Sequence, residues 1–305
     1  MRLIKPSYSI IEPTGYTIDD IYKSIELAGK VSHKSEYTIK EGSAKDFVDR
    51  MIKLGHGATL EFGTVYLYIK GIDETNIDKY RFNKYSKVVE GRLDHFYVTS
   101  NYRVLVENNW LDDLKYLCEP TEHHEKRVCV KFICDRGILA EFTRHRTFSF
   151  MAESSRYCNY SKDRFGNELT FIQPCWVDES LLKEIKGTVI TKDDYGSLIC
   201  EYYYHLSGKE EGWFKPWSIT PEKNFVASLQ IAEQLYLELL NQGWKPQEAR
   251  AVLPLALKTE LYMCGFVSDW INFFKLRDDK QHAHPQAYEL AHPLHKEFIC
   301  RNYIK

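Results

Sequence analysis

Residues Thr64 to Lys70 read TVYLYIK, with Val65, Leu67 and Ile69 alternating against Tyr66 and Tyr68. A period of two commits a segment to an extended strand with one face turned to a core, because successive side chains point to opposite sides. Such a strand needs partners for its backbone. His95 to Val106 and Arg127 to Cys134, rich in valine, tyrosine and phenylalanine, are the predicted strands that supply them.

Elsewhere the apolar spacing changes to that of helices. Residues 17–29 place Ile18, Ile21, Ile25 and Leu27 on one side, with Gly29 near the end. A second helix is predicted from Ser43 to Leu54, stopped by Gly55, and a short one over Gly137 to Thr143. Thr220-Pro221 pairs a hydroxyl cap with a proline at the first helical position. The helix it opens runs to Asn241 with Val226, Leu229, Ala232, Leu235 and Leu239 as its apolar stripe, and Gly243 closes it. Pro246 begins a further helix that Pro254 must interrupt or bend, and a last one follows Pro285. Strands early and helices late predict an α+β chain: an antiparallel sheet with helices packed on it. No glycine-rich phosphate loop is present, so neither a Rossmann nor a P-loop site is expected.

At 305 residues, 44% apolar and 28% charged, the chain can build a sizeable core. A formal net charge of -2 gives the whole molecule no attraction to nucleic acid or anionic membrane, so any grip on a phosphate must be local. No stretch approaches the roughly 20 apolar residues of a membrane span, and the start, MRLIKP, lacks a signal-peptide pattern. A cytoplasmic location is expected. Cys118, Cys129, Cys134, Cys158, Cys175, Cys200, Cys264 and Cys300 form no C-x-x-C pair, which predicts reduced thiols acting as small hydrophobes. The histidine pairs His123-His124, His282/His284 and His292/His295 show no familiar metal spacing, so no metal is expected.

The densest chemistry lies in Arg144-His145-Arg146-Thr147-Phe148-Ser149-Phe150-Met151-Ala152-Glu153-Ser154-Ser155-Arg156-Tyr157. Three arginines and a histidine are interleaved with serines, a composition that suits a phosphate. Guanidinium forks bind it bidentately, and hydroxyls and N–H groups take its remaining oxygens. Tyr157, Asn159 and Tyr160 add groups that suit a planar ring. The alternative is a solvated basic loop or a nucleic-acid patch, against which the near-neutral total charge argues.

Arg144-His145-Arg146, seven residues and then Ser154 resembles the R-H-R-x7-S signature of the flavin-dependent thymidylate synthases. Ala28-Gly29-Lys30-Val31-Ser32 is similar to an early loop of that family, and Gly55-His56 with Glu61 to its Gly-His segment. Glu248 to Pro254, continuing to Asn272-Phe273-Phe274-Lys275-Leu276-Arg277, resembles its C-terminal helical block. The likeness covers roughly residues 20–70, 127–160 and 222–300 of one 1–305 domain, leaving 71–126 and 161–221 as insertions relative to compact members. It departs at Met151-Ala152, where members commonly carry Asn-Glu, near Glu141, where a glutamine is usual, and at Phe266-Val267-Ser268, in place of Asn-Ala-Arg.

The resemblance implies a thymidylate synthase complementing protein-like fold and reductive methylation of dUMP to dTMP without a cysteine nucleophile. It implies methylenetetrahydrofolate as carbon donor, FAD as hydride carrier, NADPH as reductant, and a homotetramer with shared sites. Arg277 would stabilise charge on the pyrimidine. Arg144, Ser154, Arg156, Arg250 and Glu141 would bind the nucleotide. Arg144, His145, Arg146 and Asn272 would hold FAD, with Ser32, His56 and His284 as further cofactor-side candidates. His282 and His284 flank the position of the family histidine, and two extra residues after Arg277 leave both in play. Ser154 has no base placed to make it a nucleophile. Arg277 beside Asp278 and Asp279 also reads as a local surface ion pair, Arg250 as a surface helix residue, and Asn272 as a cap. Two other functions stay open: a non-catalytic nucleotide- or RNA-binding protein using the Arg-His-Arg loop, and a one-carbon transferase acting on another uracil-type base.

Overall fold

A computed structural model describes residues 1–71, 74–92, 94–162, 166–177 and 221–304. In chain order the strands are β1 Arg2–Ile4, β2 Ser7–Ile11, β3 Thr64–Lys70, β4 Lys87–Glu90, β5 His95–Asn101, β6 Arg127–Asp135, β7 Ser149–Ala152, β8 Thr170–Ile172 and β9 Lys258–Phe266. The helices are α1 Ile18–Val31, α2 Ser43–Lys53, α3 Gly57–Leu60, α4 Glu74–Arg81, α5 Tyr102–Glu107, α6 Arg136–Phe142, α7 Pro221–Asn241, α8 Pro246–Ala249, α9 Val267–Arg277 and α10 Pro285–Cys300. The architecture is α+β. Thr220, Cys200 and most of the 161–221 segment lie outside the described residues.

The chain groups into two compact units: Met1–Lys5 with Ser155–Lys258, and Pro6–Ser154 with Thr259–Lys305. In the first, β1 pairs with β8 in parallel, and Leu229 and Tyr236 of α7 pack with Cys158, Phe171 and Leu257. Leu235, expected on the apolar stripe of α7, is exposed, and Tyr236 takes its place in the core. Val226, Leu229 and Ala232 are buried as the period requires.

The second unit holds two sheets, one ordered β2-β6-β9-β7 and one ordered β3-β5-β4. In the smaller sheet all seven residues of β3 pair antiparallel with β5, from Thr64↔Asn101 to Lys70↔His95. The expected strand from His95 to Val106 stops at Asn101. Its side chain accepts the Val104 N–H at 3.2 Å and opens α5, so an asparagine cap ends the strand. Thr17 and Asp20 form a capping box at the start of α1, a motif that contributes about 1 kcal/mol. Gly55, at φ +69, ends α2 in the left-handed region that glycine enters without strain.

The larger sheet has two differently covered faces. Val128, Val130, Phe132 and Cys134 of β6, with Leu261 and Met263 of β9, face a core completed by Phe142 of α6, Trp270 and Phe273 of α9, and Leu290, Leu294 and Phe298 of α10. The residues between them point the other way, where Tyr262 and Cys264 pack with Ala28 and Val31 of α1. β9 corrects the expectation of strands early and helices late: a strand from Lys258 to Phe266 lies within the stretch read as a helical block. Thr259 to Phe266 are all buried, so both faces are covered and the alternation that marks a strand with one solvent-facing side is missing.

Candidate active site

α6 and α9 follow directly on the neighbouring strands β6 and β9, and this brings their ends together. Arg277, the last residue of α9, donates from Nη1 to Glu141 Oε2 at 2.8 Å, from Nη2 to the Glu141 carbonyl at 3.1 Å, and from Nε to His145 Nε2 at 3.1 Å. A guanidinium has five N–H donors, so three fixed ones leave one on each terminal nitrogen for a ligand. The local ion pair with Asp278 or Asp279 is absent. Asp278 instead accepts from His292 and His295 at 2.8 and 2.6 Å, and Asp279 meets His282 at 2.8 Å.

His145 is buried in the turn after α6, its ring 5.0 Å from that of Phe273. Burial, and then the charges of Arg277 and Arg144, push its pKa down to about 4. The ring is therefore neutral at pH 7. Because Nε2 accepts from Arg277, the proton sits on Nδ1, and His145 acts as an orienting acceptor rather than a cation. Arg144 and Arg146 on either side of it are exposed, as is Asn272 one residue before Phe273. These two guanidinium groups and this amide are hydrogen-bond donors open to solvent, of the chemistry that anionic ligands take.

Two more of the expected residues meet through the backbone: the Ser154 N–H donates to the Ser32 carbonyl at 3.0 Å. The Ser32 hydroxyl donates to the Gly29 carbonyl at 3.1 Å and lies 2.8 Å from His33 Nδ1. Glu153 is buried, its N–H bonded to the Glu260 carbonyl at 2.8 Å. In the other unit Arg250 donates to the Ser155 hydroxyl at 3.3 Å, and Arg156 lies 5.3 Å from the ring of Tyr157. Exposed His56 precedes α3, and His284 is the N-cap of α10.

Sequence reasoning missed Arg127. From the start of β6 it donates to the Glu61 carbonyl at 2.9 Å, to Thr64 Oγ1 at 3.2 Å and to Ser149 Oγ at 3.1 Å. It thereby ties the Gly-His segment and the Arg-rich segment to one strand. A lone arginine opening a strand carries no sequence signal for that role.

The sequence pattern of the thymidylate synthase complementing proteins matches residues 115–300, more than half of the chain. The chain belongs to that family. The matched stretch contains α6, the Arg-His-Arg turn, β9 and α9, so the Arg277 cluster lies wholly inside it. Among relatives, the chain is 28% identical to a probable flavin-dependent thymidylate synthase of Paramecium bursaria Chlorella virus 1 over 142 residues, 47% of this chain and 52% of that one. It is also 28% identical to a flavin-dependent thymidylate synthase of Synechocystis sp. over 164 residues, 54% of this chain and 62% of the relative. The match thus spans between half and two thirds of these relatives' lengths. A solved structure of a UMP/dUMP methylase from Streptomyces cacaoi, bound with 5-Br dUMP, aligns over 98% of this chain and 93% of its own, at 14% identity and a TM-score of 0.41. No helix among the described residues is long and apolar enough to cross a membrane.

Proposed function

We propose that this chain is a flavin-dependent enzyme that reductively methylates dUMP to dTMP, with methylenetetrahydrofolate as carbon donor and NADPH as reductant. The observation that carries the reading is the Arg277 guanidinium, held in a fixed plane by Glu141 and neutral His145 beside the Arg-His-Arg turn. In the reaction proposed, uracil C5 attacks a one-carbon unit, and negative charge builds on the ring. A permanently charged, pre-oriented guanidinium stabilises that charge without reorganising, and it cannot act as a base. His145 holds the plane by accepting from Nε and exchanges no proton near neutral pH. Arg144, Arg146 and Asn272 would hold FAD, which supplies hydride transfer when bound. Ser154, Arg156 and Arg250 remain nucleotide ligands in this reading, the arginines suited to phosphate. No cysteine nucleophile is required. A homotetramer in the cytoplasm is the assembly and location we assign, and a monodisperse, fully active monomer in light scattering would refute the assembly.

The test is direct. Purified protein, supplemented with FAD, should show a flavin absorption band and form dTMP from dUMP with methylenetetrahydrofolate and NADPH. Protein that binds no flavin at high FAD concentration would sink the proposal. Arg146→Ala should weaken flavin binding, whereas Cys158→Ala should leave dTMP formation intact.

A further inference from the structure

The apolar face of α1 leaves a cavity of about 420 Å³ over the second face of the larger sheet, lined among others by Tyr66, Arg127, Cys129, Tyr262 and Cys264. Two of its wall residues are thiols on hydrogen-bonded neighbouring strands, Cys129 on β6 and Cys264 on β9. Their register follows from two contacts. The Val267 N–H donates to the Lys126 carbonyl at 2.9 Å, and Lys131 Nζ lies 5.7 Å from the Tyr262 ring. Together these set the strands antiparallel and place Cys129 opposite Cys264.

Counting from the bonded Lys126–Val267 pair, the alternation along an antiparallel ladder makes Cys129–Cys264 a non-bonded pair, with Cα atoms about 4.5 Å apart. That separation lies within the range of roughly 4.4–6.8 Å that a disulfide spans. The two side chains line the same cavity from adjacent strands. Interaction with Cys129 and the charge of Arg127 hold the Cys264 thiol below the ordinary cysteine range despite its burial, whereas Cys129 is held above it. The charge of Arg127 favours a thiolate at this pair, and the cross-strand placement leaves one sulfur in position to resolve the other; we assign Cys264 as the attacking sulfur.

We propose that Cys129 and Cys264 form a cavity-lining dithiol that a hydroperoxide oxidises to a cross-strand disulfide. The Cys264 thiolate attacks a peroxide oxygen; an S–O bond forms, the O–O bond breaks, and the departing oxygen takes a proton to leave as water when the oxidant is hydrogen peroxide. The Cys129 sulfur then attacks the sulfenic sulfur. An S–S bond forms, the S–O bond breaks, and the hydroxide leaves with the Cys129 proton as a second water. Two thiols are oxidised by two electrons, and one peroxide is reduced. The role is independent of the proposed methylation, which uses neither sulfur.

The experiment uses the full chain, reduced, then exposed to one equivalent of hydrogen peroxide, unfolded, alkylated and digested without reductant. We expect a linked peptide pair joining Cys129 to Cys264, reversible by a thiol reductant. Peroxide should reach it at least about tenfold faster than it oxidises the exposed Cys175 and Cys300. In Cys129→Ser, Cys264 should instead be trapped as sulfenic acid by dimedone. If that variant does not fold, the wild-type peptide map decides alone. Full alkylation of both cysteines under conditions that oxidise Cys175 and Cys300 would overturn the proposal, as would linkage of either to a different partner.

Discussion

The Nε–H of Arg277 is directed at Nε2 of His145, 3.1 Å away, in a bond that exists only while the imidazole is neutral. Protonation of His145 would set two cations against each other in a buried place. Its folded pKa of about 4 lies below the unfolded value of 6.5, so the unfolded chain takes up the proton first as pH falls. The bound-proton difference makes stability rise with pH in this window. The contribution is intact above about pH 6.5 and is lost progressively down to about pH 4. We expect urea unfolding to show a fall of up to about 3 kcal/mol across that range attributable to this group. His145→Gln should flatten the corresponding part of the profile. An unchanged pH slope in the variant would mean that other groups carry the acid sensitivity.

Arg277 itself separates binding from chemistry. Arg277→Ala should lower dTMP formation by the equivalent of about 2–4 kcal/mol, the scale of one lost oxyanion-type donor. Arg277→Lys keeps the charge but cannot make three bonds in one plane to Glu141 and His145, so it should recover only part of the rate. Flavin titration should be nearly unchanged in both, since Arg144 and Arg146 remain. Steady-state kinetics beside the titration decide the point, and a near-normal rate for the alanine variant would reduce Arg277 to a structural clamp.

How far the sequence revealed this arrangement depends on the range of each interaction. β3 was legible to the residue because its alternation is local, and α2 because a glycine at φ +69 ends it. β9 was not, because burial of Thr259 to Phe266 on both faces erases the alternation. The break after Asn101 was visible in principle, as an asparagine that caps, but the valine- and tyrosine-rich residues beyond it masked the change of period.

The candidate site divides in the same way. Its residue types stood out as a cluster of arginines and serines, but the partners of Arg277 did not. Glu141 lies 136 positions away, whereas Asp278 is adjacent and bonds to histidines of α10 instead. Sequence proximity favours the adjacent acid, but the direction in which the end of α9 faces selects the distant one. Ser32 and Ser154 meet for a similar reason, through a backbone bond that no side-chain pattern encodes.

Trp270 tests the packing behind the cluster. It is fully buried, and its Nε1–H donates to the Val128 carbonyl at 3.1 Å. Trp270→Phe should cost about 1–3 kcal/mol, mostly from the carbonyl left without its donor. Trp270→Ala should cost about 3–5 kcal/mol, because the cavity adds to the lost burial. Denaturant midpoints at constant m-value would establish both, and equal losses would assign the effect to the hydrogen bond alone.

Gly265 links that packing to His145. A Cβ built there would lie 2.5 Å from Cδ1 and 2.6 Å from Cε1 of Phe148, closer than real atoms come. Phe148 cannot yield freely. Its ring stands 4.8 Å from that of Trp270 and 6.2 Å from that of His145, and the Phe148 N–H is bonded to the His145 carbonyl at 3.1 Å. Gly265→Ala should therefore destabilise the fold by about 1–3 kcal/mol through overpacking. It should also disturb the His145–Arg277 bond, although it touches neither residue. The expected signature is a lower midpoint in urea together with a reduced dTMP rate, assayed well below the unfolding transition. Trimming the obstacle in Gly265→Ala/Phe148→Leu should restore part of the stability, since the flexible leucine can vacate the space that the ring fills. If the double variant is as unstable as the sum of the two single ones, the clash is not the cause, and the strand itself requires glycine at that position.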